Sequence, residues 1–180
     1  MSAMPPFTVK LAMEISPEIL QQLKEFSLFK DFSEDEIKLR QVAAVMRRQE
    51  AKAGAYILNE GEEGDDLYLL MKGKVRVIKH TKQKEEYTIV DLEAAYHVFF
   101  GEMALMDSDR RSASVLVLED AELLLLSRAD FTQLGDKFPD IGLPITRIIT
   151  KILIGRLRNV NNDVILLFDA LVDEIQTNHL

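Results

Sequence analysis

Residues 100–117, which read FGEMALMDSDRRSASVLV, decide the fold of this 180-residue chain. Gly101 lets the backbone turn tightly and approach a ligand closely. Residues 102–106 are good helix formers, and a short helix that opens at a glycine presents free N–H groups to an anion. Residues 107–109 end this helix in turn-forming residues, and residues 112–117 read as a strand with small side chains at its start.

Two charged residues of this stretch carry its candidate chemistry. Arg111 supplies a planar guanidinium fork suited to a phosphate, and the small residues after it leave room for one. Glu102 is a strong acceptor for a hydroxyl group. Together with the start of a helix, the two would suit a small sugar phosphate. The competing interpretation is an ordinary ion pair at the surface.

The stretch resembles the phosphate-binding cassette of the cyclic nucleotide-binding domain family. That family includes the bacterial catabolite activator protein and the regulatory subunits of the cyclic-AMP-dependent kinase. The matching residues of the cassette are Phe100, Gly101, Glu102, Ala104, Leu105, Arg111, Ser112, Ala113, Val115 and Val117. A second signature precedes it, with Ile57, Gly61-Glu62-x-Gly64, residues 67–70 and Gly73-x-Val75-x-Val77. Because the two occur in order, the resemblance extends over residues 28–162.

The resemblance implies an α+β fold built on an eight-stranded antiparallel β-roll, jelly-roll-like, with N-terminal helices and a long C-terminal helix. The residues agree, because many short strands separated by glycine turns are typical of a roll or barrel. We expect strands at residues 56–58, 67–70, 75–77 and 87–90, and two more at 115–118 and 123–126 joined at Glu119-Asp120.

Three segments are predicted along the chain. Residues 1–15 form a loose N-terminal segment, residues 16–138 the β-roll with its N-terminal helices, and residues 139–180 a helical segment for dimerisation or for covering the ligand. Helices are expected to begin at Ser16-Pro17, at the capping box Ser33-x-x-Glu36 and at Ser127-x-x-Asp130. Pro139 and Pro144 are expected to break the chain before the last helix.

The last helix carries an apolar seam at heptad spacing. Its members are Leu153, Leu157, Val160, Val164, Leu167 and Leu171. Further apolar residues, such as Ile165 and Phe168, lie off the seam, so the helix should bury itself against two surfaces. We prefer a homodimer helix; the alternative is a core helix of a monomer.

The resemblance also implies roles for single residues. Gly101 would let the backbone approach, Glu102 would accept the ribose 2′-hydroxyl, and Arg111 would pair with the cyclic phosphate. Ser112 and N–H groups near Ala104 and Ala113 would assist, and the base would be covered near Val160 or Asn161, from the same chain or a partner chain. The predicted nucleotide-binding residues are Gly101, Glu102, Met103, Ala104, Arg111, Ser112, Ala113 and Asn161.

Residues 93–98, which lead into the cassette, depart from the family pattern because they contain no glycine. Tyr96 or His97 would either contact the ligand or cap a rearranged turn, and we prefer the second interpretation. The expected ligand is a 3′,5′-cyclic nucleotide, with cyclic AMP placed ahead of cyclic GMP and the choice of base left open. The alternative is a degenerate scaffold that binds proteins without nucleotide, and an intact Glu102 and Arg111 argue against it.

The composition excludes several other classes of function. The chain has no cysteine, and His80, His97 and His179 do not pair at metal-ligand spacing. It also lacks a G-x-S-x-G motif and a P-loop, so we expect a binding module without cofactor or metal rather than an enzyme. A net charge of −8 argues against nucleic acid as a partner, and no apolar run has membrane-spanning length.

We therefore expect a cytoplasmic regulatory protein whose output is an unknown effector protein or a rearranged dimer. No module of helix-turn-helix size follows the last helix, so we do not expect a transcription factor. A basic hairpin is formed by Lys72, Lys74, Arg76, Lys79, Lys82 and Lys84. We interpret this hairpin as a solvated face rather than a surface for an acidic partner.

Overall fold

The structure of the protein is a computed structural model that describes residues 8–10, 15–81 and 85–177. Its strands are β1 (Thr8–Lys10), β2 (Arg47–Ala51), β3 (Tyr56–Leu58), β4 (Asp66–His80), β5 (Glu86–Glu93), β6 (Phe99–Phe100) and β7 (Ser114–Ser127). Its α-helices are α1 (Pro17–Glu25), α2 (Glu36–Ala44), α3 (Met103–Met106), α4 (Arg128–Lys137) and α5 (Pro139–Thr177). Two 3₁₀ turns cover Ser27–Phe32 and Ala94–Tyr96. The α+β class, the flanking helices and the long last helix are confirmed.

All strands pair antiparallel in one sheet, in the order β1-β2-β7-β4-β5, with β3 on β7 and β6 on β4. The described residues form seven strands, whereas the resemblance implies eight. The strands predicted at 115–118 and 123–126 are one continuous strand, β7. Glu119 stays in the ladder opposite Lys74 of β4, and the register shifts on either side of it, so a bulge takes the place of the expected turn.

The register of β4 against β7 shifts on either side of Lys72, next to Gly73, which has a φ of +88°. A Cβ atom there would lie 2.4 Å from the carbonyl oxygen of Asp120 and 2.9 Å from that of Glu119. Both are backbone atoms of β7 and cannot move aside cheaply. Only glycine therefore allows the two long strands to approach this closely where the sheet curves.

The sheet is buried on both faces where β4 and β7 pair. Tyr68 and Leu70 belong to the cluster inside the roll, which also contains Phe100 and Leu123. Successive side chains of a strand point to opposite faces, so Leu67 and Leu69 lie on the other face, and both are fully buried as well. The side chain of Gln22 in α1 donates to the carbonyl of Met71, which places the N-terminal helices on this second face.

Two of the three predicted helix starts are confirmed, and the third is wrong. Ser16 accepts a hydrogen bond from the N–H of Ile19, and Ser127 accepts one from Asp130, as N-caps do. The second helix is capped by Asp35, which accepts from the N–H of Lys38 at 3.2 Å. Ser33 cannot serve as its N-cap because its backbone is helical and its hydroxyl points back to Lys30.

The prediction that Pro144 breaks the chain is also wrong. Helix α5 begins at Pro139, where a missing N–H costs nothing, and continues through Pro144. A proline inside a helix costs about 3 kcal/mol. Ile141 and Ile145 on either side of it are fully buried, and their packing offsets this cost.

The chain divides into two compact units, residues 1–145 and 146–180, so the structural division falls inside α5. Within the segment expected to be loose, Thr8–Lys10 forms strand β1 against β2, and residues 1–7 and 11–14 lie outside the described residues. No helix in the described part of the chain combines the length and apolarity needed to cross a membrane.

Two glycines set the distance between α4 and the start of α5. A Cβ atom on Gly142 would lie 2.6 Å from the Cα of Gly135, whereas a Cβ atom on Gly135 would meet the Cα of Gly142 at 3.6 Å, an ordinary contact. We predict that Gly142→Ala lowers the free energy of unfolding by about 1–2 kcal/mol, because overpacking outweighs the better helix propensity of alanine.

The matched control is Gly135→Ala, which gains helix propensity without a clash and should stabilise the fold by up to about 1 kcal/mol. Urea unfolding of both variants measures whether the free energy of unfolding falls for Gly142→Ala and rises for Gly135→Ala. Equal effects of the two substitutions would contradict the close contact between the helices.

Candidate functional site

Backbone hydrogen bonds join the two signature stretches at Arg111. The N–H of Arg111 donates to the carbonyl of Glu62 at 2.8 Å, and the N–H of Gly61 donates to the carbonyl of Arg111 at 2.8 Å. This pair of bonds fixes Arg111 beside the turn between β3 and β4, before β7 begins at Ser114. The side chain of Arg111 is only 8% exposed.

Two glycines make room for the guanidinium group of Arg111. A Cβ atom on Gly64 would lie 2.6 Å from Nε and 2.7 Å from Nη2. A Cβ atom on Gly101 would lie 3.0 Å from Nη1, and its φ of +75° is itself a conformation that favours glycine. The guanidinium therefore occupies space that any larger residue at Gly64 would fill.

An aromatic pair lies beside the same guanidinium. The Cζ of Arg111 is 5.7 Å from the centroid of the Tyr68 ring, within the range of a cation–π contact. Tyr68 stacks on Phe100 with centroids 5.3 Å apart and planes at 3°. Burial, followed by the charge of Asp66, raises the pKa of Tyr68 to about 12, so its hydroxyl is protonated at neutral pH.

A second arginine shares this region. Asp66 pairs with Arg47, and burial raises the pKa of Asp66 while Arg47 and, more weakly, Arg111 lower it. Arg47 is therefore the main counter-charge of this carboxylate. The Nε of Arg111 is buried and has no hydrogen-bond partner among the described residues. A buried unpartnered donor on a cation is costly, and an anion that accepted from it would remove this cost. The Nε of Arg47 is buried and unpartnered as well, but the guanidinium of Arg47 has Asp66 as its counter-charge.

Glu102 and the single turn of α3 follow directly after Gly101. Glu102 is 2% exposed, and charged side chains are rarely buried without a partner group. The predicted helix is confirmed as one turn, Met103–Met106. The N–H of Ala104, predicted to bind ligand, donates to the carbonyl of Gly101 at 3.1 Å. A ligand that used this N–H would therefore have to open the turn.

The predicted site residues are distributed as follows. Gly101 lies against Arg111, and Glu102, Ala104 and Arg111 are buried. Ala113 is half-buried, whereas Met103 and Ser112 are exposed. Asn161 is exposed on α5 in the second compact unit. The roles assigned to these eight residues stay predictions.

The adjacent residues Arg110 and Arg111 precede strand β7, which begins only at Ser114, so strand alternation does not separate their side chains. Instead, the exposed side chain of Arg110 donates to the carbonyl of Gly61 at 3.0 Å, while the backbone bonds with Gly61 and Glu62 fix the position of Arg111, whose side chain is buried. Arg111 remains the arginine of the pocket.

Sequence reasoning missed the part played by Tyr68 and Gly64. Both belong to the second signature, but Tyr68 reads there only as one member of an apolar strand. Its pairing with Phe100 depends on the β4–β6 register, in which Tyr68 lies opposite Phe100. No local pattern reports that register. The one indication in the sequence was that the two signatures occur in order along the chain.

The glycine-free segment before the cassette is closed by His97. This residue adopts the left-handed conformation, with φ 49°, and its N–H donates to the carbonyl of Ala94 at 3.0 Å. Its ring meets Phe26 edge-on at 5.7 Å, which compensates for the strained backbone. Tyr96 is exposed. The geometry agrees with the capping interpretation for His97.

The basic hairpin carries its own counter-charges. Arg76 donates two hydrogen bonds to Asp91, at 2.7 and 2.9 Å, and Lys74 pairs with Glu93 at 2.8 Å. Lys82 and Lys84 lie outside the described residues. Cross-strand pairing of this kind supports the interpretation as a solvated face.

The sequence is similar to those of a known family and of several known proteins. The family of the cyclic nucleotide-binding domain matches residues 48–138, just over half of the chain. The chain is 32% identical over 142 residues to cGMP-dependent protein kinase 2 of Homo sapiens, covering 78% of this chain and 17% of the kinase. It is 31% identical over 145 residues to the cyclic AMP receptor protein of Thermus thermophilus, covering 81% of this chain and 63% of that protein.

The chain is also similar to a solved structure. A cyclic nucleotide-binding domain from Methylobacillus flagellatus superposes with a TM-score of 0.69 at 30% identity, and the match covers 82% of this chain and 81% of that domain. The chain spans only 17% of the length of the human kinase and 63% of the receptor protein. The matched residues include both signatures and the Arg111 pocket. The chain belongs to the cyclic nucleotide-binding domain family.

Proposed function

We propose that this chain binds a 3′,5′-cyclic nucleotide and acts as a non-catalytic regulatory module. The observation that supports this most directly is the state of Arg111. The residue is 8% exposed, its Nε has no hydrogen-bond partner within the described part of the chain, and Gly64, Gly101 and Tyr68 confine its guanidinium. A phosphate oxygen is the natural acceptor for such a group.

In this proposal the cassette divides the ligand between its two charged residues. Arg111 pairs with the cyclic phosphate, and Glu102 accepts the ribose 2′-hydroxyl. Ser112 and the N–H groups of Ala104 and Ala113 add donors to the phosphate, while Gly101 keeps the backbone close. Met103 and Asn161 complete the proposed set, with Asn161 or the adjacent Val160 covering the base.

The choice between adenine and guanine is supported by fewer observations than the recognition of the phosphate. The relatives reported above carry the names of both cyclic nucleotides, cGMP for the kinase and cyclic AMP for the receptor protein. We carry cyclic AMP forward as the first ligand to test. The cassette contacts only ribose and phosphate in this proposal, so the base must be distinguished elsewhere, from the side of the C-terminal helix.

The proposed mechanism is a shift between two conformations of the cassette. In the structure the N–H of Ala104 is held by the carbonyl of Gly101. A phosphate that competes for this N–H favours a state in which α3 has moved toward Arg111. A ligand shifts such an equilibrium only by its difference in affinity for the two states. In this proposal the turn of α3 therefore couples nucleotide binding to the change of conformation.

The proposed assembly is a homodimer through the heptad seam of α5. Leu157, Val160, Val164, Leu167 and Leu171 each expose more than half of their surface. Leu153, the first member of the seam, is partly exposed. A contiguous apolar stripe of this length marks an interaction surface. A two-fold mate with the same seam fits it by knobs-into-holes packing.

The first prediction is that a 3′,5′-cyclic nucleotide stabilises the fold. At about 100 times the dissociation constant, linkage contributes roughly 2.7 kcal/mol, which raises the melting temperature by about 5–10 °C. A thermal scan with cyclic AMP, cyclic GMP and, as control, linear AMP measures this. If neither cyclic nucleotide shifts the transition at millimolar concentration, the degenerate-scaffold alternative is favoured.

The second prediction compares two adjacent arginines. Arg111→Ala should weaken binding by about 2–5 kcal/mol, or roughly 30- to several-thousand-fold, because a buried partner of the phosphate charge is lost. Arg110→Ala removes an exposed side chain bonded to Gly61 and should change the affinity less than about twofold. Titration calorimetry on both variants is decisive, and equal losses would show that the wrong arginine was assigned.

The third prediction concerns the dimer. Val160 lies in the middle of the seam, so Val160→Glu opposes two like charges in a desolvated contact, at about 3–5 kcal/mol. The variant should sediment as a monomer while its circular dichroism keeps the β-sheet signal. Leu166→Glu makes the same kind of change on the helix face away from the seam and should leave the dimer intact. A wild-type chain that sediments as a monomer at micromolar concentration would refute the assembly.

A further inference from the structure

Helix α5 has more exposed apolar surface than one dimer seam can cover. Besides the seam, a second set of apolar residues follows heptad spacing near the end of the helix: Ile165, Phe168, Val172 and Ile175. Val172 is half-buried, and the other three residues are 59%, 64% and 50% exposed. We call these four residues the second seam. Their steps of three, four and three match a stripe on one face of a helix.

The second seam lies beside the dimer seam and does not overlap it. With the dimer seam at heptad positions a and d, the four residues occupy positions b and e, which adjoin position a. A two-stranded coiled coil buries a and d, while position e flanks this interface and position b lies in solvent, so most of the b and e strip stays accessible. The strip spans 11 residues, about 16 Å or three turns of helix. This length is enough to bind one short helix.

The charges around the second seam indicate the kind of partner. Residues 159–177 contain four acidic residues, Asp163, Asp169, Asp173 and Glu174, and no lysine or arginine. Of the four, Asp169 at position f borders the second seam directly, and the others add to the negative charge of this end of the helix. An anionic membrane surface or a nucleic acid would be repelled by this end of the helix. A helix with lysine or arginine beside its apolar stripe would be attracted.

A second copy of the chain fits this strip poorly. Packed in parallel, two second seams would bring two sets of acidic residues together. Packed antiparallel, the second seam would meet the b and e strip of the preceding part of α5. That strip holds Arg147, Lys151 and Arg158, with only Ile154 apolar among them. The apolar surface of the second seam would then have no apolar surface to cover it.

We propose that the second seam binds an amphipathic helix of another protein, with an apolar stripe flanked by basic residues. This surface is distinct from the nucleotide site and assumes only that the dimer uses the first seam. It gives the module a place at which an effector binds. The helix-in-groove mode suits it, because parallel dimer helices with exposed flanks form such a groove.

The test uses a synthetic peptide of about 18 residues, or five turns, with leucine at heptad spacing and lysine at the other positions. Fluorescence anisotropy measures its binding to the full chain at low and high salt. We expect saturable binding that weakens with salt. Phe168→Gln should weaken it about tenfold or more, because an aromatic anchor is lost. Leu166→Gln, an equally exposed apolar residue outside both seams, should change it less than about twofold.

Two control peptides and a sedimentation measurement of the assembly complete the test. A peptide of the same composition in scrambled order, or one with glutamate in place of lysine, should not bind; equal binding of either would overturn the proposal. Failure of the basic peptide to bind would overturn it as well. Sedimentation of Phe168→Gln should match the wild type. A smaller assembly for this variant would mean that a second copy occupies the second seam instead.

Discussion

The confinement of the Arg111 guanidinium is the constraint on which the site depends. It requires the absence of a side chain at Gly64, a left-handed backbone at Gly101 and an aromatic face at Tyr68. These residues come from the turn after β3, from the cassette and from β4. Three segments distant in sequence must therefore be placed before the arginine can be buried. The β-roll supplies this placement through the β4–β6 and β4–β7 ladders.

Burying this cation without a full set of hydrogen bonds lowers the stability of the fold. The Tyr68 ring repays part of that loss, because a desolvated cation–π contact contributes about 2 kcal/mol. Unlike a carboxylate pressed against the guanidinium, the ring accepts no N–H of the fork in a conventional hydrogen bond. An aromatic face therefore holds the arginine in place without competing with an incoming phosphate. The Arg47–Asp66 pair acts in the same direction, because it keeps Asp66 occupied.

The parts of the fold that could be predicted from the sequence are those set by local chemistry. The caps at Ser16 and Ser127, the turn after Gly101 and the strand at Tyr56–Leu58 depend on residues within a few positions of one another. Apart from the cap of α2, where Asp35 takes the place of Ser33, the errors arose where a tertiary contact overrides local preference. Burial of Ile141 and Ile145 carries the helix through Pro144, and the ladder with β4 keeps β7 continuous through Glu119. The contacts of Tyr68 with Phe100 and Arg111 could not be predicted, because they depend on the strand register, which neither signature specifies.

The two hydrogen bonds between Arg111 and the turn at residues 61–62 have a consequence for how the chain can change length over evolution. Residues 107–110 between α3 and Arg111 are exposed, so an insertion there would leave the arginine anchored from its other side. A residue added within 61–66 would instead slide Gly64 away from the guanidinium and shift β4 by one pleat. Homologous chains should therefore vary in length freely before the arginine and hardly at all within residues 61–66.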